Sequence, residues 1–268
     1  MALDTRALRA LGWCDPPTQI KLVPGEVQLW LIRVPEASSE VKRLIARLTP
    51  AERERAKAKR IADKRHEYIA GQASLRTLLA RQLDIDPMLV EYARGPKGKP
   101  YLNETVHSGS PRVQFNITHS GAMVMVAMAL DAELGVDVEW HNERTNPGRV
   151  ARRAFSEAER DAMSALPASV QRRHFFALWT CKEALVKCTG LGIHSGMSNF
   201  EVVLEEAGCA YVKAAWGTQT GVDRFHVVPL MLGSEDSHTH AGALVHEPPA
   251  LTARHWILDA SPDPLARL

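Results

Sequence analysis

Apolar residues near the start of the chain follow first the pattern of a strand and then the period of a helix. The run from Val27 to Ile32 is typical of a β-strand. Val41, Leu44, Ile45 and Leu48 then recur at i, i+3, i+4 and i+7. This spacing places all four side chains on one face, so it predicts an amphipathic helix.

A second helix start lies immediately downstream, between Thr49 and Glu52. A threonine N-cap, a proline at the first helical position and an acid three residues after the cap together mark a helix N-terminus. Helical periodicity then continues as far as Leu83, a span too long for one globular helix. We therefore expect two helices in this region.

The middle of the chain combines a breaker-rich loop with strand-like runs. Pro96 to Pro100 holds two prolines and a glycine, which indicates a loop. Residues 113–117 alternate between apolar and polar, and residues 123–130 form an apolar run suited to a buried strand. Residues 134–139 form a third such segment, so the pattern predicts three neighbouring strands.

The sequence contains an internal repeat of its helix-start signature. Ser156 to Glu159 repeats the helix-start signature of Thr49 to Glu52 at an offset of 107 residues (156 − 49). Each copy precedes a long helix, the second from about Val170 to Cys188, and then strand-like segments. The pattern predicts an α+β fold of two pseudo-symmetric α/β halves, residues 1–130 and 131–268, with a functional site between them.

Composition and charge narrow the class of protein. The 268 residues are 45% hydrophobic and 24% charged, with a net charge of +2, as in an ordinary globular protein. Basic residues concentrate between Lys42 and Arg65, either as a solvated helix face or as a surface for an anionic ligand or an acidic partner. The small net charge and the scarcity of aromatics in that stretch argue against nucleic acid.

Cysteine spacing and hydropathy indicate the cellular compartment in which the protein is expected to work. The four cysteines show neither zinc-site spacing nor the density of a disulfide-stapled domain. No apolar run reaches the length needed to span a bilayer. We expect a cytoplasmic protein that does not enter the membrane.

Two carboxylates in the third predicted strand are the first candidate chemistry. Asp137 and Glu139 are two residues apart, so both project from the same face of the strand. They repel each other unless a cation lies between them, and oxygen ligands suit a hard ion such as Mg²⁺. The alternative is an edge strand whose polar face lies in water.

The second long helix carries a matching set of charges. Trp179, Lys182, Glu183 and Lys187 lie at i, i+3, i+4 and i+8, along one helix face. The face offers a third carboxylate for a metal and two cations for a pyrophosphate. The alternative is a surface pair of Glu183 with Lys187, which contributes only a few tenths of a kcal/mol.

Two further segments could bind anions. The segment from Asn116 to Gly121 ends a strand in hydroxyl groups and the imidazole of His119. Lys97 and Lys99 lie in the preceding loop, where they could reach a phosphate or an adenine or could be solvated. Taken alone, His119 is equally consistent with a structural histidine.

Together these segments resemble the 4′-phosphopantetheinyl transferases of the larger single-chain type, which includes the surfactin-synthetase activator. The resemblance covers roughly residues 45–205, and its five motifs occur in the family's order. They are Gly98 to Pro100, Asn116 to Ser120, Gly135 to Glu139, Phe155 to Glu159 and Trp179 to Lys187.

The resemblance implies a fold of two similar halves with coenzyme A bound between them, and it implies roles for individual residues. Asp137, Glu139 and Glu183 would hold Mg²⁺ against the coenzyme A pyrophosphate, and the cations near it would contact the phosphates. The nucleotide would be bound by residues on the other half. The implied contacts are Lys182 and Lys187 with the phosphates, Thr118 and His119 with the 3′-phosphate, and Lys97 and Lys99 near the adenine.

One position departs from the family pattern. Members often carry an arginine just before the aromatic residue of the helix that matches residues 66–71, and this chain has Glu67 there. Arg60, Lys64 or Arg65 are the candidates for the missing contact with the 3′-phosphate.

The resemblance also implies a reaction, in which the serine hydroxyl of an apo acyl or peptidyl carrier protein attacks the β-phosphate of coenzyme A. A carboxylate would accept the serine proton, with Glu183 as the first candidate and Glu159 as the second. Glu159 has an alternative duty as the closing residue of a capping box. Lys187 would assist at the phosphates, and we expect a monomer.

A different class of protein remains open at this point. A chain with the same fold could bind coenzyme A or a carrier protein without chemistry. The complete set of three carboxylates and Lys187 favours the enzyme, since a non-catalytic relative is expected to have lost at least one of them.

Overall fold

The structure, a computed structural model, describes most of the chain. The described residues are 12–17, 21–103, 105–108, 112–190, 196–205, 209–216, 221–232 and 240–258. The α-helices are α1 (Ser38–Ala46), α2 (Pro50–Ala58), α3 (Ala62–Leu83), α4 (Pro147–Ala154), α5 (Glu157–Ala165) and α6 (Ala168–Thr189). The strands are β1 (Glu26–Arg33), β2 (Tyr92–Arg94), β3 (Pro100–Leu102), β4 (Val113–Ser120), β5 (Met123–Leu130), β6 (Leu134–Trp140), β7 (Phe200–Leu204), β8 (Ala210–Ala215), β9 (His226–Met231), β10 (His240–His246) and β11 (Thr252–Leu258).

Two sheets form the framework. The first has the strand order β11-β1-β5-β4, and the second has the order β6-β10-β9-β8-β7. Helix α3 packs on the first sheet and α6 on the second. One apolar core lies between each sheet and its helix. A third core, which includes Leu29, Met125, Val136 and Leu244, joins the opposite faces of the two sheets. The α+β architecture of two halves, each a sheet with a long helix, is as expected.

The internal repeat is visible in the buried ion pairs of the two halves. Both predicted capping boxes are present, at Thr49 with Glu52 and at Ser156 with Glu159. Each capping carboxylate is buried and pairs with a cation at the same position of the following 22-residue helix. The pairs are Glu52 with Arg76 and Glu159 with Lys182, each with a contact of 2.8 Å or less.

The chain crosses between the halves more than once. Strand β11 does not extend the second sheet: it pairs in parallel with β1, in the register Glu26 opposite Thr252. Residues 252–258 thus complete the sheet of the first half. The division into residues 1–130 and 131–268 stays a prediction. None of the helices in the described part of the chain is long and apolar enough to cross a membrane.

Candidate active site

The site forms where α6 lies against β6, and Gly135 allows this approach. A Cβ atom at Gly135 would lie 2.2 Å from the carbonyl oxygen of Ala184 and 2.3 Å from the nitrogen of Cys188. No side chain fits there, so the helix backbone lies directly on the strand. Residues 137 and 139 point to the same side as Gly135, toward the face of α6 that carries Glu183 and Lys187.

Three carboxylates meet on this side of β6. Asp137 is 3% exposed and Glu183 is 5% exposed, while Glu139 is half-buried. Burial raises the pKa of Glu183 to about 7, and the neighbouring charges of Asp137 and Glu139 add to the effect. Burial and the charge of Asp137 likewise raise the pKa of Glu139. The cluster therefore carries more negative charge than its own surroundings stabilise.

Lys187 compensates part of that charge. Its Nζ donates to Oδ1 of Asp137 at 2.5 Å and to the Thr118 hydroxyl at 3.1 Å. The Thr118 hydroxyl in turn donates to the same Asp137 oxygen at 3.0 Å. The other oxygen of Asp137, Oδ2, is buried and has no hydrogen-bond partner among the residues that the structure describes.

Strand β4 contributes through alternate residues. The Asn116 side-chain oxygen accepts from the backbone nitrogen of Val136 at 3.1 Å, and the Ser120 hydroxyl donates to Oε2 of Glu139 at 2.8 Å. Because β4 ends the first sheet and β6 ends the second, these bonds and that of Thr118 join the two halves at the site. The period of two along a strand could have predicted this shared face, whereas the family resemblance implied roles for Thr118 and His119 alone.

The donor set fits a hard divalent cation. The described residues contain no ready-made cluster of three or more metal-ligating side chains, and an ammonium group now contacts Asp137. The unpartnered buried Oδ2 and the raised pKa values of Glu139 and Glu183 are nevertheless what a cation between these oxygens would relieve. The three carboxylates predicted as metal ligands lie near enough to one another to shift pKa values within the group, and Lys187 and Thr118 both contact Asp137.

Glu159 and Lys182 are not brought to this cluster. Lys182 is fully buried, and its Nζ contacts both oxygens of Glu159 at 2.7 Å and the carbonyl of Phe200 at 2.6 Å. Burial lowers the pKa of Lys182 to about 8, although Glu159 opposes the shift. Glu159 also accepts from the backbone nitrogens of Ser156 and Val202. Lys182 and Glu183 are adjacent, so they point about 100° apart around the helix.

The two lysines of the β2–β3 turn, Lys97 and Lys99, differ in their contacts and exposure. The Lys99 Nζ donates to Glu133 Oε2 at 2.5 Å and to the carbonyl of Cys188 at 2.6 Å, so this turn is tied to the C-terminal end of α6. Lys97 is exposed on the same turn.

The three basic residues near Glu67 that are candidates for the 3′-phosphate contact also differ in their surroundings. Arg60 is exposed, and the Arg65 guanidinium donates to the carbonyl of Lys59. Lys64 contacts both oxygens of the buried Glu67, and His119 contacts Oε2 of the same carboxylate at 3.0 Å. His119 thus lies on the α3 side of β4, opposite to the side that Thr118 faces.

Comparison with known proteins identifies the family. A model of the 4′-phosphopantetheinyl transferase superfamily matches residues 133–241, and a model of the 4′-phosphopantetheinyl transferase N-terminal region matches residues 35–131. A putative 4′-phosphopantetheinyl transferase of Synechocystis is 31% identical over 65% of this chain and 70% of that protein. The chain belongs to the 4′-phosphopantetheinyl transferases.

Two further sequence relatives agree with that assignment. A phosphopantetheinyl transferase of Thraustochytrium is 30% identical over 70% of this chain and 69% of its own. The transferase HetI of Nostoc is 29% identical over 76% of this chain and 84% of its own. The holo-(acyl-carrier-protein) synthase of Bacillus anthracis, solved with CoA (3′,5′-ADP), is 21% identical over 42% of this chain and 93% of its own, with a TM-score of 0.34. A TM-score this low supports no comparison between the two sites.

Proposed function

We propose that this transferase moves the 4′-phosphopantetheine arm of coenzyme A onto a serine of an apo acyl or peptidyl carrier protein. The observation that carries the proposal is the set of three carboxylates with Lys187 and Thr118 at the seam between β4 and β6. Burial of three mutually repelling carboxylates is costly, which favours a chain whose chemistry requires them over one that only binds coenzyme A.

Asp137, Glu139 and Glu183 are the residues that would hold Mg²⁺. When bound, the ion would neutralise charge on the pyrophosphate and on the departing nucleotide. The support for this assignment is the oxygen-only donor set and the uncompensated charge of the cluster.

Lys187 and Thr118 are placed to contact the phosphate oxygens. Both donor groups contact Asp137, and Lys187, whose side chain is partly exposed, can turn toward an incoming anion. Once in contact with the bound phosphate, the ammonium stabilises the charge that develops on it.

Glu183 is the proposed proton acceptor. The serine oxygen forms a bond to the β-phosphorus, its proton passes to the Glu183 carboxylate, and the bond from the β-phosphorus to the bridging oxygen breaks. Adenosine 3′,5′-bisphosphate leaves with the electron pair of that bond. Without a metal, burial raises the pKa of Glu183 to about 7, so its surroundings favour the protonated carboxyl group that this step produces. The contacts of Glu159 support a structural role for it instead.

Further proposals concern the carrier-protein surface, the oligomeric state and the cellular location. Exposed Arg149, Arg152 and Arg153 on α4, the first helix after β6, add to the basic stretch of α2 as surfaces for an acidic carrier protein. The family resemblance implies a monomer. The four cysteines are free thiols, which supports a cytoplasmic location.

Intact-mass spectrometry tests the proposal. Apo carrier protein incubated with this enzyme, coenzyme A and Mg²⁺ should gain the mass of one phosphopantetheine, and EDTA should prevent the gain. Glu183→Gln should lower the transfer rate by about 10² to 10⁴ while the circular dichroism spectrum stays unchanged. Bound coenzyme A without any mass gain on several carrier types would instead favour a binding protein.

A further inference from the structure

Glu67 is a buried carboxylate on a helix that otherwise meets the first sheet through apolar side chains. It is 2% exposed, and both of its oxygens are occupied by cationic or ionisable partners. Lys64 Nζ lies 2.9 and 2.8 Å from the two oxygens, and His119 Nδ1 lies 3.0 Å from Oε2. Burial acts to raise the pKa of Glu67, but the hydrogen bonds from His119 and Lys64 outweigh it and lower the pKa.

The position of α3 makes this contact possible. Gly71 lies one turn after Glu67, and a Cβ atom there would approach the Ile117 side chain to 3.3 Å. Ile117 and His119 share one face of β4, as Gly71 and Glu67 share one face of α3. The helix therefore approaches the strand closely at Gly71, and the next pair along is the contact of Glu67 with His119.

This contact fixes the chemistry of the imidazole. A carboxylate can only accept, so Nδ1 of His119 carries a hydrogen and Nε2 is the nitrogen left to face a ligand. With Nδ1 so engaged, Nε2 donates a hydrogen bond only when the ring is the cation. The His119 side chain is 43% exposed, so Nε2 can reach a ligand, and a bound anion would itself favour that cation.

The two partners of Glu67 both point cationic groups toward solvent. The side chains of Lys64 and His119 are 54% and 43% exposed, while the carboxylate between them is buried. With the imidazolium formed, the three groups carry a net charge of +1 at the surface. Such an arrangement suits a phosphate, one residue along β4 from Thr118 and the pyrophosphate site.

We propose that Glu67 is a positioning residue for the 3′-phosphate of coenzyme A, holding His119 with Nε2 toward the phosphate and Lys64 as the neighbouring cation. This inference rests on the proposed function. It accounts for the glutamate at a position where an arginine is common: the carboxylate does not contact the phosphate but orients the groups that do.

The test compares coenzyme A with 3′-dephospho-coenzyme A as donors in the carrier-loading reaction. Glu67→Ala removes orientation and charge together, so KM for coenzyme A should rise about tenfold, the difference expected between a charge-assisted and a neutral hydrogen bond. Glu67→Gln keeps an acceptor for Nδ1 and should give a smaller rise. KM for the dephospho donor and kcat with either donor should change less than about twofold.

Two controls separate positioning from simpler effects. Asp63→Asn removes an exposed negative charge from the same helical turn, and general electrostatics predicts that it leaves KM for coenzyme A unchanged or lowers it. In a His119→Ala background, Glu67→Ala should change the ratio of the two KM values less than it does in the wild type, because only its contact with Lys64 is left to lose.

An equal rise in both KM values would show a merely structural role for Glu67 and overturn the inference. An unchanged or lower KM for coenzyme A in Glu67→Ala would overturn it as well. If the wild-type protein transfers from neither donor, the proposed function fails. Calorimetric titration of the same variants with the two nucleotides would then still decide whether Glu67 discriminates the 3′-phosphate.

Discussion

At the scale of single residues, sequence neighbours serve different parts of the molecule. Thr118 faces Asp137 and Lys187, while the adjacent His119 faces Glu67 on α3. Glu183 lies in the carboxylate cluster, while the adjacent Lys182 lies in a buried ion pair. The direction of each side chain, set by a strand period of two or a helical turn of 3.6 residues, decides its role.

Glu183 should make the metal-free protein less stable as pH rises. Its pKa is about 7 in the folded state and ordinarily 4.5. Below pH 4.5 both states hold the proton, so there is no penalty. Between pH 4.5 and 7 only the unfolded chain releases it, so folding stability falls by up to about 3 kcal/mol and then stays constant.

Glu183→Gln should remove this dependence. In chemical denaturation without metal, the variant should match the wild type near pH 4.5 and exceed its free energy of unfolding at pH 8. Added Mg²⁺ should stabilise the wild type at pH 8 and leave the variant unchanged. A difference between the two proteins that does not vary with pH would contradict the raised pKa.

Glu159→Gln should affect stability rather than chemistry. The substitution leaves the buried Lys182 ammonium without its counter-charge, a loss of about 3 to 5 kcal/mol. At a temperature where the variant is folded, kcat/KM should stay within about threefold of the wild type. Glu157→Gln, on the exposed side of the same turn, is the matched control. Loss of transfer in a fully folded Glu159→Gln would assign the proton acceptor to Glu159.

At the scale of elements, the packing of α6 on β6 creates the site. The strand supplies Asp137 and Glu139, and the helix supplies Glu183 and Lys187 from successive turns. The absence of a side chain at Gly135 sets the distance between them. The glycine of this motif is therefore a packing requirement of the site rather than a turn residue.

Gly135→Ala should disrupt this packing. The added methyl group would overlap the backbone of Ala184 and Cys188, which no rotamer change can relieve. We expect a loss of more than about 3 kcal/mol in the free energy of unfolding, or insoluble protein. Gly148→Ala, where the nearest atom lies 3.7 Å from the new Cβ within helix α4, should be neutral or slightly stabilising. Equal stability of the two variants would refute the close approach.

The sequence predicted these elements well but not all of their partners. Local signals such as the Thr49 and Ser156 capping boxes and the strand around Asp137 specify a helix start or a face, and the structure contains them. No local signal specifies that β11 pairs with β1, because that contact joins residues far apart in sequence. The burial of Lys182 was missed for a related reason, since the helical period alone does not show which side of α6 the core covers.

At the scale of the whole molecule, β11 protects the edge of β1. Without it, the backbone groups of β1 between Glu26 and Arg33 would form an unpaired apolar edge. A chain ended at residue 250 should therefore aggregate or fail to fold, as judged by soluble yield and size-exclusion chromatography. A chain ended at residue 258 retains β11 and should remain folded. Soluble, active protein from the shorter chain would show that the parallel pairing is dispensable.

The return of the chain to the first sheet also limits how coenzyme A can enter. The chain passes between the halves at residues 131–133 and again at residues 247–251, and the two connections are joined by a bond from the Glu247 nitrogen to the Glu133 carbonyl at 2.9 Å. Any hinge motion must pivot on this double connection, and it would draw β4 away from β6. That motion would break the bonds of Thr118 to Asp137 and of Ser120 to Glu139. Under the proposed function, a ligand that enters by displacing Lys187 would leave these two bonds intact, whereas separation of the two sheets would break them.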